Sequence, residues 1–382
     1  MSIYVKRGRI PNKRHTQFAN PTGGIYFEEL VSREGFSYNY SNLYHINMPT
    51  NVMKVGDFHR NNPSILDSNH RPMHLMTASV EGSGNYFDSS INLFFNSDII
   101  IGKSHFNEKM SCFYRNGHHD ELLYIQKGDG ELETNYGVLR YTEGDFLIIP
   151  KGVISKIEPR SNTHALTVET KGPIQFPGKY LSRVGQLLEH SPYCERDIHL
   201  PQLVDPINKK GEFLVKVKLN TGVQDYYYSY HPFDVVGWDG YHYPWKLSIY
   251  DFEPIVGSIH QPPPVHQIFE SSGCVFCVFV PRLFDFNDKA IPAPYPHSNV
   301  DSDEVIFYSK GDFMSRKDIE EESITFHPSG LPHGPQPGKY EESIGKKNTD
   351  ELAVMIDTFS PLCPTKNTFD LEDKKYPLSW KG

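Results

Sequence analysis

HHDELLYIQKG at residues 118–128 and HSNVDSDEVIFYSKG at residues 297–311 decide how this chain folds, because they follow one pattern. In each, a polar, histidine-bearing segment leads into a carboxylate, six residues follow, and a glycine ends the run: Glu121 to Gly128, and Glu304 to Gly311. Each is answered downstream by a second shared string. GDFLIIPKGVIS (144–155) runs through an apolar strand to Pro150, Gly152 and Ser155; SITFHPSGLPH (323–333) runs through another to Pro328, Gly330 and His333. A repeat of this length and order predicts two copies of one β unit.

The rest of the chain agrees with a mostly β protein. Runs rich in Val, Ile, Tyr and Phe, such as 121–126, 131–141, 145–150, 305–310 and 353–358, are bounded by Gly, Pro, Asn and Asp, as short strands of a sandwich or barrel require. The 29 glycines and 29 prolines predict many turns, and the 23 tyrosines and 24 phenylalanines favour strands. Long amphipathic helices are absent; YLSRVGQLLEH (180–190) is a weak helix candidate and EESIGKKNTDE (341–351) suggests a short helical turn.

Bulk composition narrows the function. A length of 382 residues with 38% hydrophobic content is enough for two substantial cores. The net charge of −9, with no basic block, excludes the stripe that phosphate neutralisation needs. The longest apolar runs, 146–149 and 274–280, are too short for a membrane span. The N-terminus has no continuous apolar segment of a secretory signal, which predicts a cytoplasmic protein. Five cysteines make an odd number for a disulfide framework. Cys274 and Cys277 form a CxxC inside a strand-like run, and two buried thiols are expected there rather than a zinc site.

The doubled pattern resembles the paired motifs of the cupins, small jelly-roll β-barrels, and predicts a bicupin. The expected division is an N-terminal β domain over residues 1–243 with a degenerate motif at 118–155, and a C-terminal cupin over 244–382 carrying a metal site. The C-terminal copy reads His297-x-Asn299-x4-Glu304-x6-Gly311, then Pro328-x-Gly330-x2-His333-x2-Gln336. His297, Glu304 and His333 are the expected metal ligands. Two imidazoles and one carboxylate leave coordination positions open, a set diagnostic of oxygen-using non-haem Fe(II). Glu304 is preferred over its neighbour Asp303 because it keeps the spacing to Gly311; Asp303 is expected to tighten the turn. Asn299 stands where many cupins supply a further histidine. Ser155 takes the corresponding place in the first copy, which is therefore expected to be a barrel without a metal. Asn299 and Gln336 are candidates for orienting the ligands.

Longer strings resemble homogentisate 1,2-dioxygenases in particular: KRHTQF (13–18), EELVSREGFSYNYSNLYH (28–45), DELLYIQKGDGELETNYG (120–137), FDVVGWDGYHYPW (233–245), DFEPIVGSIHQPPPVHQIF (251–269), PYPHSNVDSDEVIFY (294–308) and HPSGLPHGP (327–335). The resemblance implies ring opening of homogentisate by O2 to maleylacetoacetate, in tyrosine and phenylalanine catabolism, and a homo-oligomer, hexamer or trimer. The catalytic histidine of that family aligns with Pro263, flanked by His260 and His266; His266 is the first candidate for the base and His260 the second. A substrate-contacting tyrosine of the family falls on Phe313. His333 and Tyr295 are the other expected pocket residues. Arg282, Lys289 and Lys310 lie near enough in sequence to be considered for the substrate carboxylate, with nothing to choose among them. Competing readings are a cupin dioxygenase for another hydroquinone acid such as gentisate, a cupin isomerase, and a non-enzymatic binding protein.

Overall fold

Strand alternation explains most of the architecture, and the strand Asp303–Lys310 shows how. Its residues are buried from Asp303 to Ser309. Successive side chains point to opposite faces of a sheet. Val305 and Phe307 join the large core shared with the N-terminal half, whereas Ile306 and Tyr308 join a separate cluster with Cys277, Phe313, Ala353 and Met355. One face packs on the neighbouring unit and the other lines the interior of the strand's own unit. The same split runs through Leu352–Thr358, where Val354 and Ile356 face the neighbour and Ala353 and Met355 face inward.

The computed structural model describes residues 3–61, 70–80 and 82–381. Two seven-stranded sheets form the first unit. One has the order Gly137–Tyr141, Gly130–Thr134, Ser155–Pro159, Phe113–Asn116, Lys210–Leu219, Gly222–Tyr230, Val52–Arg60. The other runs Trp245–Ser248, Asp145–Ile149, Asp120–Lys127, Thr163–Thr170, Ile99–Phe106, Ser90–Phe95, Cys363–Pro364. The second unit is built on a six-stranded sheet, Gln267–Ser271, Cys274–Phe279, Leu352–Thr358, Asp303–Lys310, Ile324–His327, Met73–Leu75. Its opposite wall is thin: loops, the short pair Arg282–Leu283 with Asn348–Thr349, and an isolated bridge between His297 and His333. A four-stranded sheet that includes Val235–Gly240 flanks the first unit, anchored where Trp238 Nε1 donates to the carbonyl of Tyr136 at 2.8 Å.

Both expected repeats thus lie in β units of one kind, but the units interleave across the expected boundary at residue 243. Trp245–Ser248 pairs with Asp145–Ile148 of the first unit. Met73–Leu75 pairs with Ile324–Phe326 of the second, and Cys363–Pro364 pairs with Phe94 and Phe95. Each exchanged strand covers a sheet edge that would otherwise present unpaired amides. The segment 180–190 forms no helix; it is an irregular loop closed by a bridge between Leu181 and Leu187. Leu187 is buried in the first core and Leu181 packs on it, without a helical stripe. Near the second candidate a short helix spans Lys339–Ser343. Cys274 and Cys277 lie three apart on one strand, face opposite sides, and are both free thiols.

The two units meet through aromatic packing. Phe94 stacks on Phe326 at 5.0 Å, and Tyr124 meets Phe307 edge-on at 6.0 Å. The Tyr124 hydroxyl and Ser309 Oγ lie 2.8 Å apart. Among these apolar contacts sits Glu322, whose Oε2 is 2.7 Å from the fully buried Lys103 ammonium and 3.0 Å from His105 Nε2, and whose Oε1 is 2.7 Å from His164 Nδ1. Burial pushes the Glu322 carboxyl upward, but His105, His164 and Lys103 outweigh it and hold it far below the ordinary carboxylate range. Its stabilisation is therefore present above the unfolded value near 4.3 and is lost as pH falls through the folded one. Glu322→Gln strands the buried ammonium and is expected to cost about 3 kcal/mol in urea unfolding at neutral pH. That difference from the native chain should shrink as the medium is acidified below about pH 4.

Candidate metal centre

His297 and His333 are brought together by their backbones. The amide of each donates to the carbonyl of the other, both at 2.8 Å, a reciprocal antiparallel pair that puts the two side chains on one side. Their ring centroids are 4.4 Å apart. Close approach at this point needs Gly334: a Cβ there would lie 2.8 Å from Pro296 Cα. Glu304, the second residue of its strand, points into the interior beneath them. Its Oε2 is 3.9 Å from His297 Nε2 and its Oε1 is 3.6 Å from His333 Nε2. Ligand atoms of the three residues all lie within 4.8 Å of one another.

The donor chemistry fits a divalent ion. His297 Nδ1 lies 3.2 Å from the Tyr295 carbonyl, and His333 Nδ1 lies 3.0 Å from the Leu331 carbonyl. A carbonyl can only accept, so each Nδ1 carries the proton and each Nε2 presents a lone pair to the centre. His333 Nε2 is buried without a hydrogen-bond partner. Burial pushes the Glu304 carboxyl up, but His327 and His333 outweigh it and keep it ionised, well below the usual carboxylate range. Asp303 points elsewhere: its two oxygens accept from the amides of Ser329 at 2.8 Å and Leu362 at 2.7 Å. It ties its strand to the turn at Ser329 and to the segment at Leu362 instead of tightening the turn that precedes it.

His327 belongs to this centre and was not singled out in the sequence. Its Nδ1 is 2.7 Å from Glu304 Oε1, its Nε2 is 3.1 Å from the Tyr376 hydroxyl, and its ring stacks on His333 at 4.6 Å. Alternation in SITFH was the available signal, since Ile324 and Phe326 enter the inter-unit core while Thr325 and His327 take the opposite face. Burial pushes His327 down to about 4, against the pull of Glu304, so it is neutral at physiological pH. Asp357, the register partner of Glu304, is half-buried, with its Oδ1 enclosed and unpartnered. Desolvation and the Glu304 charge raise it to about 7.

The other expected residues are placed as follows. Phe313 is buried, with its ring 4.8 Å from Tyr308 on the interior side. Tyr295 is half exposed and stands between His260 (5.0 Å) and His297 (6.3 Å), ring to ring. His260 lines an outer cavity of about 330 Å³ together with Tyr295, Asp285, Lys289 and Tyr340. His266 ends the turn Pro263–His266, is buried, packs on Phe279 at 5.2 Å and leaves Nδ1 without a partner. Burial, then Arg282 and His260, push it down to about 3.

The Gln336 side chain bonds groups other than the ligand rings, and Asn299 joins the turn below His333 through its backbone. The Asn299 carbonyl accepts from Gly330 N at 2.6 Å. The Gln336 amide side chain bonds Lys317 N and Ser379 Oγ, the latter at 2.6 Å. Gln336 lies in a loop where no strand ladder supplies partners, so its side-chain oxygen takes the amide of Lys317. Of the three basic candidates, Arg282 pairs with Glu351 at 3.1 Å and Lys310 with Glu143 at 3.3 Å; Lys289 lines the outer cavity.

Two other clusters need a reading. His105, His164 and Glu322 could also be grouped as ligands, but the Glu322 carboxylate already holds the Lys103 ammonium. In the first unit Glu121 is the register partner of Glu169, as Glu304 is of Asp357. There an internal cation, Lys218, pairs with Glu169, and Asn116 Nδ2 donates to both carboxylates, at 3.2 Å and 2.8 Å.

His333→Ala should lower iron affinity at least about 100-fold, and His327→Ala about 10- to 100-fold, by equilibrium dialysis, with native-like circular dichroism in both. Iron retained at native affinity in folded His333→Ala would remove it from the ligand set.

Comparison with known proteins bears on this centre. A family model described as "Homogentisate 1,2-dioxygenase N-terminal" matches residues 87–251. A protein of Saccharolobus solfataricus named "putative dioxygenase" is 40% identical over 384 residues, covering 100% of this chain and 99% of that protein. The homogentisate 1,2-dioxygenase of Bradyrhizobium diazoefficiens is 26% identical over 291 residues, covering 69% of this chain and 61% of that protein. The homogentisate 1,2-dioxygenase of Mus musculus is 24% identical, covering 71% and 64%. Among solved structures, a cupin 2 conserved barrel domain protein from Leptotrichia buccalis aligns with a TM-score of 0.38 and 11% identity, over 77% of this chain and 99% of that one.

Proposed function

This chain belongs to the homogentisate 1,2-dioxygenase-like family of dioxygenases, and from that premise we propose that it is an Fe(II)-dependent enzyme that opens the ring of homogentisate with O2 to give maleylacetoacetate. The observation that carries the reading is the convergence of His297, Glu304 and His333 within 4.8 Å inside a largely apolar unit. Two imidazoles and one carboxylate on one side of a site leave the remaining positions for other ligands.

An Fe(II) ion held by these three residues would supply the open positions and redox chemistry through which a ring hydroxyl and O2 react. The chain's own groups do the rest. His327 holds Glu304 in place and keeps its oxygens aimed at the centre. Ile306, Phe313, Met355 and Cys277 wall the interior with apolar surface, which excludes water and strengthens every charge interaction inside. His266, neutral and with a free Nδ1, is the acceptor we assign for the substrate's hydroxyl proton. His260, on the outer cavity beside Tyr295, is the second candidate. The role in tyrosine and phenylalanine catabolism, the cytoplasmic setting and a homo-oligomeric state, hexamer or trimer, belong to the same proposal. The edge strand Val52–Arg60 supports the last, since it leaves Met53, Val55 and Phe58 exposed.

Iron-loaded protein mixed with homogentisate under argon and then exposed to air should take up one O2 per substrate while the ultraviolet absorbance of the ring-opened product grows. Bound iron without uptake would sink homogentisate as the substrate, and the same assay with gentisate tests the nearest alternative. His266→Ala should lower kcat by about 100-fold or more, and His260→Ala by far less; the reverse order would move the acceptor to the outer cavity.

A further inference from the structure

Arg316 is buried in the second unit, and among the described residues no carboxylate lies within salt-bridge distance of it. The buried Lys103 faces Glu322, and the half-buried Arg33 and Arg282 face Asp120 and Glu351. Glu304 acts on the Arg316 guanidinium only from beyond salt-bridge distance, and its direct contacts are neutral. Nη1 donates to the Gly334 carbonyl at 2.7 Å and to the Ser315 carbonyl at 3.3 Å, and the Trp380 ring lies 5.8 Å away. Nε has no partner at all. A buried charge without a counter-charge is costly and calls for an anion from elsewhere.

Its position says where that anion comes from. Gly334 follows the ligand His333 directly, and Tyr308 shares the interior face with Glu304. Glu304 feels Arg316 but is committed to His327 and the ligand imidazoles. The segment bearing Arg316 is held still: Gln336 N donates to the Ser315 carbonyl at 3.0 Å, and Gln336 takes the Lys317 amide on its side chain. A divalent ion beside one carboxylate and one guanidinium leaves the interior with net positive charge.

We propose that Arg316 receives the carboxylate of the substrate, so that the enzyme selects hydroxylated aromatic acids over neutral hydroquinones. The inference rests on the ring-cleavage reading of the same site. A guanidinium matches a carboxylate with paired donors in one plane, and with the ion at one end and Arg316 at the other the ring has a fixed orientation.

The test is calorimetric binding of 2,5-dihydroxyphenylacetate and of its methyl ester to the iron-loaded full chain under argon. The native protein should bind the acid roughly tenfold or more tightly than the ester. Arg316→Gln, which keeps a donor for Gly334 and loses the charge, should bind both with the ester's affinity, and Arg316→Lys should recover part of the preference. A native protein indifferent to the charge, or an Arg316→Gln protein that keeps the preference or weakens both ligands alike, overturns the proposal. Should Arg316→Gln melt below the assay temperature, the acid-to-ester ratio of the native chain and its loss in Arg316→Met decide. Oxygen uptake is scored apart. Acid preference through Arg316 with no uptake removes homogentisate as substrate and leaves this subsite; uptake with an unchanged preference in Arg316→Gln does the opposite.

Discussion

The strand Asp303–Lys310 has no solvent face until its last residue, and the rest of the molecule is arranged around that constraint. Val305 and Phe307 must find apolar partners on one side, and they find them in Phe94, Tyr124 and the core of the first unit. Glu304, Ile306 and Tyr308 must be accommodated on the other. Apolar side chains serve Ile306, and a hydroxyl partner on Thr325 serves Tyr308 at 3.1 Å. Glu304 is different, because an ionised carboxylate in such a place needs positive charge or several donors.

The second unit meets that need with histidines drawn from three segments. His327 comes from the neighbouring strand and is the register partner of Glu304. His297 and His333 come from loops joined by one reciprocal backbone pair. Carbonyls take the Nδ1 protons of the two loop histidines, so their Nε2 lone pairs remain for a cation. A carboxylate that must be buried, and imidazoles that cannot satisfy it alone without a proton, together make a place for a metal.

The first unit offers its buried carboxylates a side-chain cation. Glu121 and Glu169 are cross-strand partners in the same register as Glu304 and Asp357, and Lys218 supplies the positive charge from the inserted strand Lys210–Leu219. Tyr114 and Asn116 complete the hydrogen bonding to Glu121. Two copies of one strand pattern thus diverge by the source of their cation, in one case a side chain and in the other a site open to an ion. An open site can exchange ligands, and a lysine cannot, which is the physical basis for placing chemistry in the second unit.

Spacing made the repeat and the β class legible, and set beside the cupin motifs it singled out His297, Glu304 and His333, because strand alternation and turn glycines are local properties and the motif residues lie within a few positions of those turns. The preference for Glu304 over Asp303 also follows locally, from the distance to Gly311. The interleaving of Met73–Leu75, Trp245–Ser248 and Cys363–Pro364 between units was not legible, since edge pairing joins residues hundreds of positions apart and carries no local mark. The same holds for His327, whose partner Tyr376 lies far along the chain, and for Arg316, which a loop carries into the interior. Which residues are candidates to bind an ion was written in the order of the amino acids; which charges are left without a direct ion pair depended on burial and on neighbours that only the folded chain brings together.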